Sequence, residues 1–372
     1  MTQAARDAEL RALRLRAQAA RDAELRALRL RAQRLTGPAA TDAAQLVARL
    51  GAVQAQDPVA AALALRARSR GLDLAAVERA RDADRSVVWT WALRGTLHLV
   101  AAEDAGWLLG LLGPIFAAAG RRRRLALGLD DELCERALVV LREILTERGP
   151  LARAGLVDAL IARGVAIDAD GQAPAHLVGY AALRGLVCRI GPSREPRYAL
   201  LDDWLGAVPV ALDPDAALAR LAARYLAAHG PAAPEDLAVW SGVGLRRARR
   251  AYSLVDGAVV ATHPPAAGAR VALLGHFDPY LLGYASRDLV LDPRFARRIQ
   301  AGGGFVRPAI LVDGVVVGTW SRKRRGAGLD ITLEPFEALT QDALAGIERE
   351  ATAVARFLGF RPADVRTCVR PS

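Results

Sequence analysis

Up to about residue 268 the apolar positions of this chain follow helical spacing, broken by short β-branched runs; beyond it the texture changes to strands. Residues 3–17 are repeated identically as residues 18–32, in an Ala-, Arg- and Leu-rich composition with strong helix preference. Only the second copy leads into Arg34-Leu-Thr-Gly-Pro38, so the first reads as a surplus, poorly docked helical extension. The pattern then predicts helices over 41–50, 58–70 and 74–83. Residues 86–100 follow, with β-branched and aromatic side chains around Gly95, and predict a hairpin. Helices followed by a hairpin form the winged-helix pattern.

The pattern returns twice. Helices are predicted over 130–148, 151–163 and 172–186, with strands at 187–190 and 198–201 around a Gly-Pro-rich loop. A third, weaker copy starts near Asp213, with a helix pair at 234–241 and 245–254 and a strand at 258–262. Past Gly268, strands are predicted near 270–274, 309–312, 315–320 and 329–335, with Asp313-Gly314 as a tight-hairpin signal. A helix over 341–357 closes the chain. The predicted fold is mainly α with α+β character. It comprises a duplicated helical extension (1–33), three tandem winged-helix modules (34–128, 129–212 and 213–268), and a C-terminal small β-barrel with its terminal helix (269–372).

Composition narrows the function. The 372 residues carry a net charge of +11, and Lys323 is the single lysine among 51 basic residues. A basic, Arg-dominated surface points to a nucleic-acid partner, because the guanidinium reads phosphates and base edges well. Three dispersed cysteines imply no disulfide framework and a reducing compartment. The first residues lack the apolar run of a signal peptide. The apolar stretch 107–120 is interrupted by Pro114 and is too short to span a bilayer. Together these predict a cytoplasmic protein with a nucleic-acid or other anionic partner and no membrane span. The three non-identical winged-helix modules in one chain add the expectation of double-stranded DNA as partner, a nucleoid-associated place in a prokaryote and a monomeric state.

The candidate chemistry centres on Gln54-Ala55-Gln56, inside an apolar run and directly before Asp57-Pro58. In an extended segment the two carboxamides project to one side, while Asp57 and Pro58 predict a helix cap and first turn. By spacing alone the pair could simply satisfy backbone groups at a helix junction. The functional alternative is a water-holding, cation-facing pair. A neutral amide is no strong base, so it suits a leaving group that is already activated, such as an alkylated, positively charged purine. Asp57 reads as a cap rather than a base.

Arg94 and His98, flanking the hairpin turn, are candidates for phosphate or sugar contact, whereas Trp89 and Trp91 read as core. Three basic clusters are candidate phosphate contacts: Arg121, Arg122, Arg123 and Arg124; Arg246 and Arg247; and Arg322, Lys323, Arg324 and Arg325. The histidines have no metal-ligand spacing, and neither a phosphate-binding loop nor a nucleophile elbow is present. No metal or cofactor is predicted.

The chain resembles the winged-helix DNA-binding-domain proteins that include the AlkZ and YcaQ DNA glycosylases, over roughly residues 26–360. The matching stretches are 28–35, 51–58, 94–100, Phe277-Asp-Pro-Tyr-Leu-Leu-Gly-Tyr-Ala-Ser-Arg287 and Gly314-Val-Val-Val-Gly-Thr-Trp320. Gly275 departs from the proline expected before the Phe-Asp-Pro-Tyr stretch. The resemblance implies three winged-helix modules cradling DNA and a barrel hairpin that enters the duplex. It also implies a catalytic Gln-x-Gln matched by Gln54 and Gln56, with excision of N7-alkylated purines, bulky or cross-linked adducts included, as the activity. The alternative from a different class is a non-catalytic winged-helix DNA binder or transcription regulator.

Overall fold

A computed structural model describes residues 3–192, 194–207, 210–255 and 271–367. Helices start where the sequence supplies caps. Asp42 accepts the Gln45 amide at 2.7 Å and opens Ala43–Leu50, slightly inside the predicted start at Thr41. Asp130 and Thr340 cap Asp131–Arg148 and Gln341–Phe357 in the same way. Each side-chain oxygen satisfies an amide that the first helical turn leaves without a partner.

The hairpin predicted around Gly95 forms from Val87–Trp91 and Leu97–Ala101, and a second forms from Val187–Ile190 and Arg197–Leu200. They do not stay separate. Pairing of Trp89 with Arg189 joins them into one six-stranded antiparallel sheet, with Val53–Gln54 at one edge and Leu151–Ala152 at the other.

The second large sheet corrects an expectation. Val271–Leu274, Ala309–Val312, Val315–Arg325 and Gly328–Pro335 pair antiparallel, and Arg361–Thr367, which the sequence does not announce, adds parallel to Gly328–Pro335. Val271–Leu274 and Arg361–Thr367 remain the two edges of this open five-stranded sheet, so the barrel does not close. Helix Gln341–Phe357 packs against both edge strands and buries Ile347, Ala351 and Val354 with Leu273, Ile310 and Ile331. A helix laid over one face removes that apolar surface from water without closure. Leu46, Leu50, Leu63 and Leu65 belong to the same core, so the C-terminal sheet is packed directly onto the unit that carries Gln54.

Helix Ala102–Ala119 runs on through Pro114. It crosses Ala173–Leu183 so closely that a Cβ on Gly113 would lie 2.0 Å from the Leu183 carbonyl oxygen, an approach only glycine permits. Helices Pro214–His229, Pro234–Ser241 and Leu245–Ser253 form the third helical group, while the strand predicted at 258–262 lies outside the described residues. Among the described residues no helix is long and apolar enough to cross a membrane. The whole is a mixed α/β, helix-rich architecture.

The repeated N-terminus forms one continuous helix, Gln3–Ala32. Its second copy is docked: Leu30 and Ala32 are buried, and Arg29 stacks on Tyr284 and faces Asp236. Residues 16–21 around the junction are exposed, as are Arg11 and Arg14 in the first copy.

Candidate active site at the Gln54–Gln56 segment

The Gln54–Gln56 segment is pinned on both sides. Edge strand Val53–Gln54 pairs with the hairpin, placing Val53 opposite Leu99 and Gln54 opposite His98. The Ala55 amide then donates to the Leu97 carbonyl at 2.7 Å, and the Ala55 carbonyl accepts the Trp89 indole N–H at 3.1 Å. Trp89 is thus a core residue, as expected, whose polar edge fixes the site backbone. Asp57 Oδ1 accepts the Val59 and Ala60 amides at 3.0 and 3.1 Å and starts helix Pro58–Arg66. With Ala55 fully buried between them, the two Gln side chains meet: Gln54 Nε2 donates to Gln56 Oε1 at 2.6 Å.

Arg94 sets the direction of that bond. It occupies the left-handed region (φ 53°, ψ 17°), at a cost on the order of 1 kcal/mol for a residue with a Cβ. Its Nη2 donates to Gln54 Oε1 at 2.6 Å and its Nη1 donates to the Trp240 carbonyl. Gly242 makes the room, since a Cβ there would press on Phe116 and on Arg94 Cγ. A guanidinium only donates, so Gln54 must turn its oxygen to Arg94 and its NH2 to Gln56. Gln56 in turn commits one lone pair of Oε1, and its own NH2 has no partner among the described residues. These amide orientations follow from the network, which offers no alternative pairing.

Burial lowers the Arg94 pKa to about 10, leaving it charged at neutral pH. No carboxylate forms an ion pair with it among the described residues. His98, expected to reach DNA, is 2% exposed and stands opposite Gln54 in the sheet, a buried position beside the pair rather than on the surface. Its Nδ1–H donates to the Thr96 carbonyl at 2.9 Å. Burial first and the Arg94 charge second lower its pKa to about 3, so the ring is neutral.

Two cavities flank the segment. Gln56, Arg94, Thr96 and Arg124 help line one of about 460 Å³. Asp57, His276, Phe305 and Arg322 help line the other, of about 860 Å³. Gln54 is nearly buried while Gln56 is exposed, so the outer amide of a charge-polarised chain, Arg94 to Gln54 to Gln56, faces solvent between them.

The basic clusters divide unevenly. Arg121 pairs with Asp131 at 2.7 Å, Arg123 donates to Gln172 at 2.7 Å, and Arg124 is buried with its guanidinium over Tyr180. Arg122 is exposed with no ion pair among the described residues, as are Arg246 and Arg247 on helix Leu245–Ser253. The neighbouring Arg249 and Arg250 are bound to Glu235 and Asp215. In the long C-terminal hairpin, Arg325 pairs with Asp330 and Arg324 folds onto Phe360, Arg322 is half-buried, and Lys323 is exposed.

One polar constellation escaped sequence reasoning. Arg68 donates to both oxygens of Asp278 at 2.9 and 2.7 Å and to Gln33 Oε1 at 2.9 Å, and Gln33 Nε2 donates to His229 Nδ1 at 2.9 Å. The side chains of Arg68 and Asp278 are wholly buried. The signal lay in two of the quoted stretches, 28–35 and the Phe-Asp-Pro-Tyr run.

A family model described as DNA glycosylase AlkZ-like matches residues 47–357. An interstrand DNA cross-link repair glycosylase of Streptomyces sahachiroi is 30% identical over 368 residues, covering 89% of this chain and 94% of that protein. The solved structure of Streptomyces sahachiroi DNA glycosylase AlkZ superposes with a TM-score of 0.77 at 27% identity, covering 93% of this chain and 99% of the other.

Proposed function

Because this chain belongs to the AlkZ-like DNA glycosylase family, we propose that it hydrolyses the N-glycosidic bond of N7-alkylated purines in duplex DNA, with Gln54 and Gln56 as catalytic residues. The observation that carries this reading is the Arg94-oriented Gln pair, whose outer member opens between two cavities. An N7-alkylpurine is already cationic. When the C1′–N9 bond breaks, the electron pair neutralises the purine, which leaves without protonation. Water forms the new C1′–O bond and its proton passes to solvent. The Gln56 amide, with a second lone pair on Oε1 and an NH2 that has no partner among the described residues, can hold that water and face the developing sugar cation.

The module boundaries 34–128, 129–212 and 213–268 belong to the same proposal, as three winged-helix modules around the duplex. Exposed Arg122, Arg246 and Lys323 meet its phosphates, and the hairpin of Val315–Arg325 and Gly328–Pro335 meets the DNA opposite the Gln pair. The name of the Streptomyces relative supports extending the substrate to bulky and cross-linked adducts. The test compares duplexes carrying N7-methylguanine, a bulky N7 adduct, or a neutral uracil. Abasic sites should accumulate with the two cationic lesions and not with uracil. No release from either cation, or equal release from uracil, would overturn the proposal.

A further inference from the structure

The buried arginines among the described residues face a carboxylate, with one exception. Among the described residues five arginines are buried, and four of them face a carboxylate: Arg29 with Asp236, Arg66 with Glu350, Arg68 with Asp278 and Arg81 with Asp82. Arg124, 5% exposed, has none. Its Nη1 donates to the Ala117 carbonyl at 2.7 Å, its guanidinium lies 4.2 Å from the Tyr180 ring centroid, and its Nε has no hydrogen-bond partner. Arg94, also without a carboxylate, lines the same cavity of about 460 Å³, together with Gln56, Thr96 and His176 and no Asp or Glu. Two desolvated cations in one apolar-walled space are costly unless an anion joins them.

The position of this cavity matters. It adjoins Gln56, where the proposed reaction builds positive charge on a sugar. Two uncompensated guanidiniums beside that carbon would oppose the reaction. They would equally repel a cationic purine, which excludes the cavity as the lesion-base pocket. One species on the substrate satisfies both constraints. A phosphodiester is anionic, accepts several hydrogen bonds from guanidinium donors and is covalently adjacent to the reacting sugar.

We infer that the cavity between Arg94 and Arg124 is a phosphate site, taking the phosphodiester that flanks the lesion nucleotide and completing the charge balance of the active site only when DNA is bound. Arg124 contributes through its terminal guanidinium N–H groups not held by the Ala117 carbonyl, its Nε being sealed from the cavity, and Arg94 through the donors not used on Gln54 and Trp240. His176, whose pKa is lowered by burial and then by Arg123 and Arg124, adds a neutral ring N–H. The inference rests on the glycosylase reading for which phosphate is bound, not for its being bound.

The test is a methylphosphonate scan, which replaces one charged phosphate oxygen at a time by a methyl group. The duplex carries an uncleavable tetrahydrofuran abasic analogue, and affinity is measured by fluorescence anisotropy, so base release plays no part. One phosphate next to the analogue should be dominant, its neutralisation weakening binding about tenfold. In Arg124→Gln the same methylphosphonate should change affinity less than about twofold, while distant positions keep their effects. Ala119→Glu, at an exposed residue of the same cavity, supplies an internal carboxylate and should abolish the sensitivity without touching Arg124. A flat scan with the parent protein, or undiminished sensitivity in both variants, overturns the site. Excision failing while the sensitivity persists would instead count against the glycosylase reading alone.

Discussion

The molecule holds two constellations built from the same kinds of residue, a glutamine bound to an arginine beside a neutral histidine. In the first, Gln33 and His229 surround Arg68, whose guanidinium is gripped by both oxygens of Asp278 with no exposure of either side chain. In the second, Gln54 and His98 lie beside Arg94, which finds a carbonyl and an amide but no carboxylate, and the chain ends at an exposed Gln56. Residue type does not distinguish the two networks. A missing counter-charge and an open end do, because a balanced, sealed network has nothing left to offer a substrate.

Breaking the balanced network should have the largest effect. Asp278→Ala strands the Arg68 charge in the core and should cost about 3–5 kcal/mol of unfolding free energy in urea titrations. The surviving folded molecules should excise at the parent rate. Arg94→Met, by contrast, should leave stability within about 1 kcal/mol, because it also removes a buried charge that has no carboxylate partner. It should slow excision roughly tenfold or more by releasing the Gln54 and Gln56 amides from their fixed orientation. Equal stability losses in the two variants would erase the distinction between the sites.

The two histidines sharpen the comparison through pH. Both His98 and His229 have folded pKa values lowered from 6.5 to about 3, chiefly by burial. The unfolded chain therefore takes up each proton first. The stability these rings contribute is complete above pH 6.5 and is lost as pH falls towards about 3. Each contributes a slope of roughly 1.4 kcal/mol per pH unit within that window. Denaturation midpoints should fall less steeply with acid in His98→Gln than in the parent, and an unchanged slope would show that His98 is not held neutral. The smallest effect concerns the repeat. Deleting residues 1–17 should shift unfolding by less than about 0.5 kcal/mol, measured by thermal melting, since that copy lies beyond the docked Arg29 and Leu30.

The repeat also marks what a sequence can say. Two identical 15-residue segments form one continuous helix, and the docking of the second depends on Tyr284 and Asp236, more than 200 residues away. Local signals were legible where they suffice. Pro234–Ser241 and Gln341–Phe357 lie where the sequence places them, and the hairpin turns at Gly95 as its β-branched flanks predict. The fusion of two hairpins through Trp89 and Arg189, the parallel strand Arg361–Thr367 and the open C-terminal sheet depend on long-range pairing that no local pattern encodes. At the candidate site, the meeting of the two Gln side chains and the place of Arg94 at the hairpin turn were legible from spacing. The Trp240 carbonyl that anchors Arg94, and the burial that takes His98 and Arg124 off the surface, were not.

The most direct test of the Gln pair is the single-turnover release of N7-methylguanine from duplex DNA by the parent and by a Gln54→Ala, Gln56→Ala double variant matched for melting temperature and DNA affinity. The double variant should be slower by about 100-fold or more, the loss expected when preorganised groups facing a developing charge are removed. Release at the parent rate would contradict the account and return the two amides to a purely structural role.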